Sequence, residues 1–287
     1  MRAPVASSQR GRRPGRFRAY RGSMTQIPIP PSESAVSLRG LTKVFGSSKS
    51  PSVAVDRLSL DVPRGAFYGL VGRNGAGKTT ALSMLTGLLR PTEGQAFVSG
   101  IDVWADPRAA KARMGVLPDG VRQFDRLAGR QLVTYSGLLR GMDRETVAQR
   151  TEDLLRAMDL VEAAGTAVQD YSAGMTKKIA LAAAMIHAPD LLVLDEPFEA
   201  VDPVSAARIR ELLHGFAQAG GTVIVSSHVM DLVQRMCDHV AIMDGGVLKA
   251  AGTVDEVRGE RSLEEVFVDT VGGVQGAGEE LTWLKPR

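Results

Sequence analysis

The 287-residue chain has one cysteine, Cys237, and one asparagine, Asn74. A lone thiol makes no internal disulfide and no four-cysteine zinc site, and it fits a reducing compartment. No run approaches the roughly 20 apolar residues of a membrane-spanning helix. The longest candidate, residues 179–186, stops at His187-Ala188-Pro189-Asp190. Residues 1–23 contain no Asp or Glu and no apolar stretch of the kind a secretory signal requires. The chain is therefore expected to be soluble by itself, with any membrane role supplied through a partner chain.

What is present describes an ordinary globular protein. Hydrophobic residues make up 44% and charged residues 23%, which excludes a wholly disordered, collagen-like or coiled-coil chain. The formal net charge is +3, but it is unevenly placed. Arg2, Arg10, Arg12, Arg13, Arg16, Arg18 and Arg21 all fall in the first 23 residues. Without these seven, 28 of the 35 basic residues face 32 acidic ones, so residues 24–287 carry −4. Residues 1–35, rich in Arg, Ser, Pro and Gly without hydrophobic period, read as a disordered basic extension. An arm for nucleic acid or anionic lipid and a plain solvated leader, with Met24 as a candidate first residue, both fit this composition. The lack of aromatics arranged for stacking favours the leader, so a nucleic-acid partner is not expected.

Short β-branched and aliphatic segments predict strands at 36–45, 53–62, 66–71, 95–99, 114–117, 191–194, 222–226 and 240–243. The runs at 191–194 and 222–226 are almost wholly apolar, as suits strands buried on both faces of a parallel sheet. Asp244-Gly245-Gly246 before Val247-Leu248 predicts a hairpin. Helical patterns lie at 78–89, 130–140, 144–158, 175–186 and 203–219, the last opening on Asp202-Pro203. Ser262-Leu263-Glu264-Glu265 is a capping box for a short final helix. Alternating strands and helices predict an α/β core. The strand-free block at about 119–176 predicts a helical subdomain inserted between two core strands, and 273–287 a C-terminal tail.

Gly72-Arg73-Asn74-Gly75-Ala76-Gly77-Lys78-Thr79, followed by Thr80, fits G-x-x-x-x-G-K-[ST] between a predicted strand and a predicted helix. The glycines let the backbone turn tightly and aim N–H groups at phosphate oxygens. The helix that follows adds its positive N-terminal end. Lys78 is a mobile charge for β- and γ-phosphates, and Thr79 offers a hydroxyl to Mg²⁺. The guanine-reading motif Asn-Lys-x-Asp cannot exist where Asn74 is the sole asparagine, so adenine is favoured over guanine.

The apolar run at 191–194 ends in Asp195-Glu196-Pro197. Carboxylates at the C-terminal end of a parallel strand face the ligand crevice. Asp195 is placed to hold Mg²⁺ or its waters, and Glu196 to position or deprotonate an attacking water. His228 follows the strand at 222–226. Beside the P-loop it would reach the γ-phosphate; His187, His214 and His239 carry no such expectation.

Tyr171-Ser172-Ala173-Gly174-Met175, 23 residues before Asp195 counted from Ser172, resembles the signature of ABC ATPases, usually Leu-Ser-Gly-Gly-Gln. The order of Phe45, P-loop, helical insert, signature, Asp195-Glu196, Ala200-Val201-Asp202 and His228 resembles that family over about residues 36–270. The variant Tyr-Ser-x-Gly-Met is similar to that of ABC-2-type exporters, which pair with separate membrane proteins. The resemblance implies an α/β P-loop NTPase fold: a mixed sheet with a parallel centre, an antiparallel β subdomain and an inserted α-helical subdomain, together forming an ATPase domain at 36–272. It implies Phe45 as the adenine platform and ATP with Mg²⁺ as cofactors. It further implies a head-to-tail dimer with a second ATPase subunit, in which each ATP lies on one P-loop and is closed by the partner's Ser172, Ala173 and Gly174. Asp202 would couple the two sites. Three positions depart from the usual pattern. Asp119 stands where Gln is usual, as a metal or γ-phosphate contact. Ala173 and Met175 replace Gly and Gln, and Phe45 replaces Tyr.

Three function classes follow. The first is the ATP-hydrolysing subunit of a transporter, by its resemblance an exporter, working at the cytoplasmic face of the membrane through a separate multi-span permease whose helix enters a groove beside Asp119. The second is a soluble ABC mechano-ATPase acting on ribosomes or nucleic acid; a single P-loop and the absence of long heptads speak against it. The third is a P-loop kinase or metabolic enzyme, which leaves residues 171–175 and His228 unexplained.

Overall fold

The computed structural model describes residues 34–47, 50–120 and 125–272. The expected basic extension and C-terminal tail lie outside the described residues, except that Ser34 and Ala35 belong to the first strand, so the sheet begins slightly before residue 36.

Two long strands, β1 (Ser34–Ser47) and β2 (Ser50–Pro63), pair antiparallel. β3 (Phe67–Val71) leads through the glycine-rich turn into α1 (Lys78–Leu85). Then come β4 (Glu93–Val98), the two-residue β5 (Ile101–Asp102), α2 (Pro107–Ala112) and β6 (Met114–Leu117). Helices α3 (Gly129–Leu139), α4 (Arg144–Ala157) and α5 (Ala173–Met185) are followed by β7 (Leu191–Leu194). α6 (Pro203–Gln218), β8 (Thr222–Ser227), α7 (Met230–Met236), β9 (His239–Asp244), β10 (Val247–Thr253), α8 (Val254–Arg258) and α9 (Leu263–Thr270) complete the order.

The strands form two sheets. One is antiparallel, in the order β2-β1-β4-β5. The other has the order β10-β9-β3-β8-β7-β6. Its four central pairings are parallel, and β10 joins β9 antiparallel.

Two hydrophobic clusters explain the continuous apolar strands. Successive side chains point to opposite sheet faces. Phe67, Val71, Leu192, Leu194, Val223, Val225, Val240 and Ile242 enter one cluster, shared with α3–α6. Tyr68, Leu70, Leu191, Val193, Ile224, Ala241 and Met243 enter the other, shared with α1 and the antiparallel sheet. Both faces are covered, so no polar alternation is needed. α3, α4 and α5 bury Leu132, Val133, Leu155, Ile179 and Leu181 in a common cluster and lie between β6 and β7 in the chain.

Some element limits differ from expectation. α1 ends at Leu85 rather than 89: the Thr86 hydroxyl donates back to Leu82 O at 2.9 Å, and Gly87 then turns with φ 70°. α5 starts at Ala173 rather than Met175 because Ser172 is its cap, its Oγ accepting from Met175 N–H at 3.3 Å. α2, α7, α8 and β5 were not expected.

Candidate nucleotide site

Three parallel strands end beside one another and deliver the site. After β3, the backbone turns through residues 72–77 and α1 begins at Lys78 with Gly77 as its N-cap. Gly77 holds φ 99°, and a Cβ there would meet Ala54 O at 2.5 Å. Only glycine fits this left-handed turn against β2. Lys78 is buried, and its Nζ donates to Gly72 O at 2.8 Å and to Arg73 O at 3.4 Å. Arg73 leaves the turn in another direction, donating to Asp244 Oδ1 and to Val271 O, each at 3.2 Å. The β9–β10 hairpin holds the cradle from behind. Gly246 N–H donates to Ala76 O at 3.0 Å, and Gly246 O accepts from Asp56 N–H at 2.9 Å.

β7 supplies the acidic pair. Asp195 N–H donates to Leu117 O at the end of β6, at 2.8 Å. Its buried carboxylate accepts from Ser226 Oγ on β8 at 2.5 Å, and the same oxygen accepts from Glu196 N–H at 2.8 Å. Glu196 lies in the left-handed region, φ 47°, which a non-glycine residue occupies at a cost of roughly 1–3 kcal/mol. Its Oε1 is 3.4 Å from Lys78 Nζ and its Oε2 is 3.1 Å from His228 Nδ1. A carboxylate is an acceptor, so His228 Nδ1 carries the shared proton.

These groups open on one cavity of about 470 Å³, lined by Ala54, residues 74–80, Asp119, Glu196, Glu199 and His228. The structure thus gathers Asn74, Gly75, Ala76, Gly77, Lys78, Thr79, Thr80, Asp119, Glu196 and His228. Gly72 and Asp195 are buried and not among its lining residues. Phe45, Ser172, Ala173, Gly174 and Asp202 are not among the lining residues. Phe45 pairs with Ser52 near the β1–β2 turn, and Lys43 Nζ lies 5.2 Å from its ring centroid. Ser172 caps α5 and Asp202 caps α6. A Cβ on Gly174 would sit 3.0 Å from Asp202 Oδ2, so these two helix starts adjoin. Hydrogen bonds from the Ser205 backbone, then from Val204, hold the Asp202 carboxyl below the usual range.

Sequence reasoning missed Ser226, Lys177, Glu199 and Ala54. Lys177 Nζ donates to Glu196 O at 2.9 Å and lies 3.6 Å from Asp119 Oδ1. Ser226 carried a weak signal, since it precedes His228 by two residues at the end of a strand. Lys177 carried none.

The chain is similar to known proteins in sequence and in fold. The profile of the ABC transporter family matches residues 55–199. The chain is 34% identical over 235 residues to the ABC transporter ATP-binding protein NatA of Bacillus subtilis (strain 168), covering 81% of this chain and 96% of that protein. The chain belongs to the ABC transporter ATPase family. It is also 33% identical over 237 residues to the daunorubicin resistance ATP-binding protein DrrA3 of Streptomyces coeruleorubidus, covering 83% of this chain and 74% of that protein. An ATP-binding subunit of an ABC transporter shares its fold with TM-score 0.75 at 24% identity, over 83% of this chain and 99% of that one. So does a dimeric ATP-binding cassette in a post-hydrolysis state bound to ADP and Pi, with TM-score 0.71 at 21% identity, over 76% of this chain and 98% of that one.

As an ABC ATPase the chain binds ATP and hydrolyses it. ABC ATPase domains dimerise and work with membrane permease subunits. No helix among the described residues of this chain is long and apolar enough to cross a membrane. The donors facing the cavity fit magnesium. Thr79 offers a hydroxyl and Asp119 a carboxylate, with the Asp195 carboxylate behind. No group of three or more His, Cys, Asp or Glu suited to a metal occurs among the described residues. Magnesium is commonly held by one or two carboxylates together with substrate phosphates, so an all-protein cage is not required.

Proposed function

We propose that the chain powers export through a separate multi-span permease, as a peripheral subunit at the cytoplasmic face of the membrane. The carrying observation is the Glu196 carboxylate set between Lys78 and His228 inside the P-loop cavity. The daunorubicin resistance ATP-binding protein among its relatives supports the export reading. The working cassette spans residues 36–272, with the helical subdomain at about 119–176, between the basic extension and the C-terminal tail.

In this reading Gly72, Arg73, Asn74, Gly75, Ala76, Gly77, Lys78, Thr79 and Thr80 form the phosphate cradle. Backbone N–H groups, Lys78 and the start of α1 meet the phosphates. Phe45 offers a ring face to adenine. Glu196 orients and deprotonates the attacking water, and His228 holds the Glu196 carboxylate and reaches the γ-phosphate. Thr79, Asp195 and Asp119 would hold Mg²⁺, which when bound neutralises charge on the β- and γ-phosphates.

Ser172, Ala173 and Gly174 open α5 and close the nucleotide held by a second ATPase subunit, identical or related. Asp202, beside Gly174, couples the two sites. ATP entry brings the two subunits together, and hydrolysis releases them. The test is reconstitution in vesicles with a multi-span membrane protein that co-purifies with this chain. ATP-dependent transport that requires both chains supports the reading. A stable, active dimer that never associates with a membrane protein overturns it.

A further inference from the structure

The Glu196 peptide is held at both ends. Its N–H is bonded to Ser226 Oγ at 2.8 Å. Its carbonyl accepts from Lys177 Nζ at 2.9 Å and from Glu199 N–H at 3.3 Å. A left-handed non-glycine residue persists only where its surroundings over-determine it, and the φ of 47° needs such holders. Glu199 supplies only a local turn. Ser226 belongs to the neighbouring strand. Lys177 alone comes from another layer, the first turns of α5, five residues after Ser172. Its ammonium also faces the Asp119 carboxylate at 3.6 Å, in the segment after β6. The Lys177 side chain is 19% exposed and that of Asp119 44%, so solvent screens this ion pair from the Asp119 side while Lys177 stays mostly buried.

We propose that Lys177 is a positioning residue for hydrolysis: by gripping the Glu196 carbonyl and facing Asp119, it fixes the Glu196 carboxylate relative to the signature helix and to the segment after β6. The inference rests on the reading of Glu196 as the group that activates water. Lys177 touches no reacting atom. It sets a backbone torsion whose side chain does, and an error of about 1 Å in such a group costs on the order of 100-fold. Asp119 matters here as a charge. A neutral Gln at that position would leave the Lys177 ammonium without its counter-charge.

The test uses the full chain and compares Lys177→Met, which keeps length and loses charge, with Lys177→Arg. ATP binding is measured by equilibrium titration and turnover by phosphate release, with thermal unfolding as a check on folding. Lys177→Met should lower kcat by about 10- to 100-fold and change ATP affinity by less than about threefold, a split that marks loss of an interaction needed only for chemistry. Lys177→Arg should recover most of kcat. In a Glu196→Gln background, Lys177→Met should cause no further loss. If Lys177→Met does not fold, Lys177→Gln is expected to show the same split. Unchanged kcat, a parallel loss of ATP affinity, or an equal further loss in the Glu196→Gln background would each overturn the proposal. Wild-type turnover in Glu196→Gln alone would overturn the reading of Glu196 as well, and is seen without any change at Lys177.

Discussion

Lys78 Nζ and Glu196 Oε1 lie 3.4 Å apart, with side chains 6% and 12% exposed. The lysine that opens α1 and the carboxylate just past β7 are therefore one buried ion pair. In the proposed reading, phosphate arriving at Lys78 shares this ammonium with Glu196, so that binding and hydrolysis meet at a single contact.

Glu196→Gln removes the competing negative charge but keeps the side-chain shape. Turnover should fall by about 10²- to 10⁴-fold, the range for loss of a general base. ATP affinity should hold or rise. Phosphate release gives the first quantity, and size-exclusion chromatography in ATP should show a persistent dimer. Turnover near wild type removes Glu196 from the chemistry.

Lys78→Ala acts on the other side of the pair. It deletes an ammonium bonded to Gly72 O and Arg73 O. Charge-assisted bonds contribute about 1.5–3 kcal/mol each, so ATP affinity should drop by roughly 10- to 100-fold. Fluorescent-nucleotide titration measures it. Binding within twofold of wild type would contradict the cradle assignment.

Ser226→Ala removes one oxygen that serves two groups, accepting from Glu196 N–H and donating to Asp195 Oδ1. Ser226 is fully buried, so the loss leaves polar atoms without partners at about 1–3 kcal/mol. Urea unfolding should show that loss of stability, and kcat should decline more than ATP affinity. A variant as stable as wild type would show that water replaces the hydroxyl at no cost.

His187 predicts a pH dependence of folding. Burial, then the nearby Arg140 charge, pushes it down to about 4 from 6.5. Its Nε2 lies 3.2 Å from Met114 O, and Nδ1 is buried without a hydrogen-bond partner among the described residues. The folded pKa is below the unfolded one, so the unfolded chain binds the proton first as pH falls. Stability should be full above pH 6.5 and decline down to about pH 4. Urea midpoints at pH 7, 6 and 5 test this against His187→Gln, in which that part of the slope should vanish. An unchanged slope would assign it to other groups.

The parts of the site carried by contiguous residues were legible in the sequence. Residues 72–79 announce a cradle because the turn, the lysine and the helix start are neighbours in the chain. Asp195, Glu196 and His228 could be placed because strand ends converge in a parallel sheet. Lys177 was not legible, since its partner comes from another layer and no local pattern marks a side chain that grips a distant carbonyl. Ser226, whose partners lie just past the adjacent strand, showed only a weak signal. Short elements failed for a related reason. Thr253 and Glu256 form a capping box like that of Ser262 and Glu265. It opens only the five residues of α8, too few for a hydrophobic period to register. α7 is likewise only seven residues long, and packing of Met230, Val233 and Met236 on the sheet decides it.

Arg73 spans from the phosphate cradle to the carbonyl of Val271, just past the end of α9. The last turn of the described chain is thereby one side chain away from the glycine-rich turn. A spin label there should serve as a local gauge of events at that turn, read without touching the cradle itself.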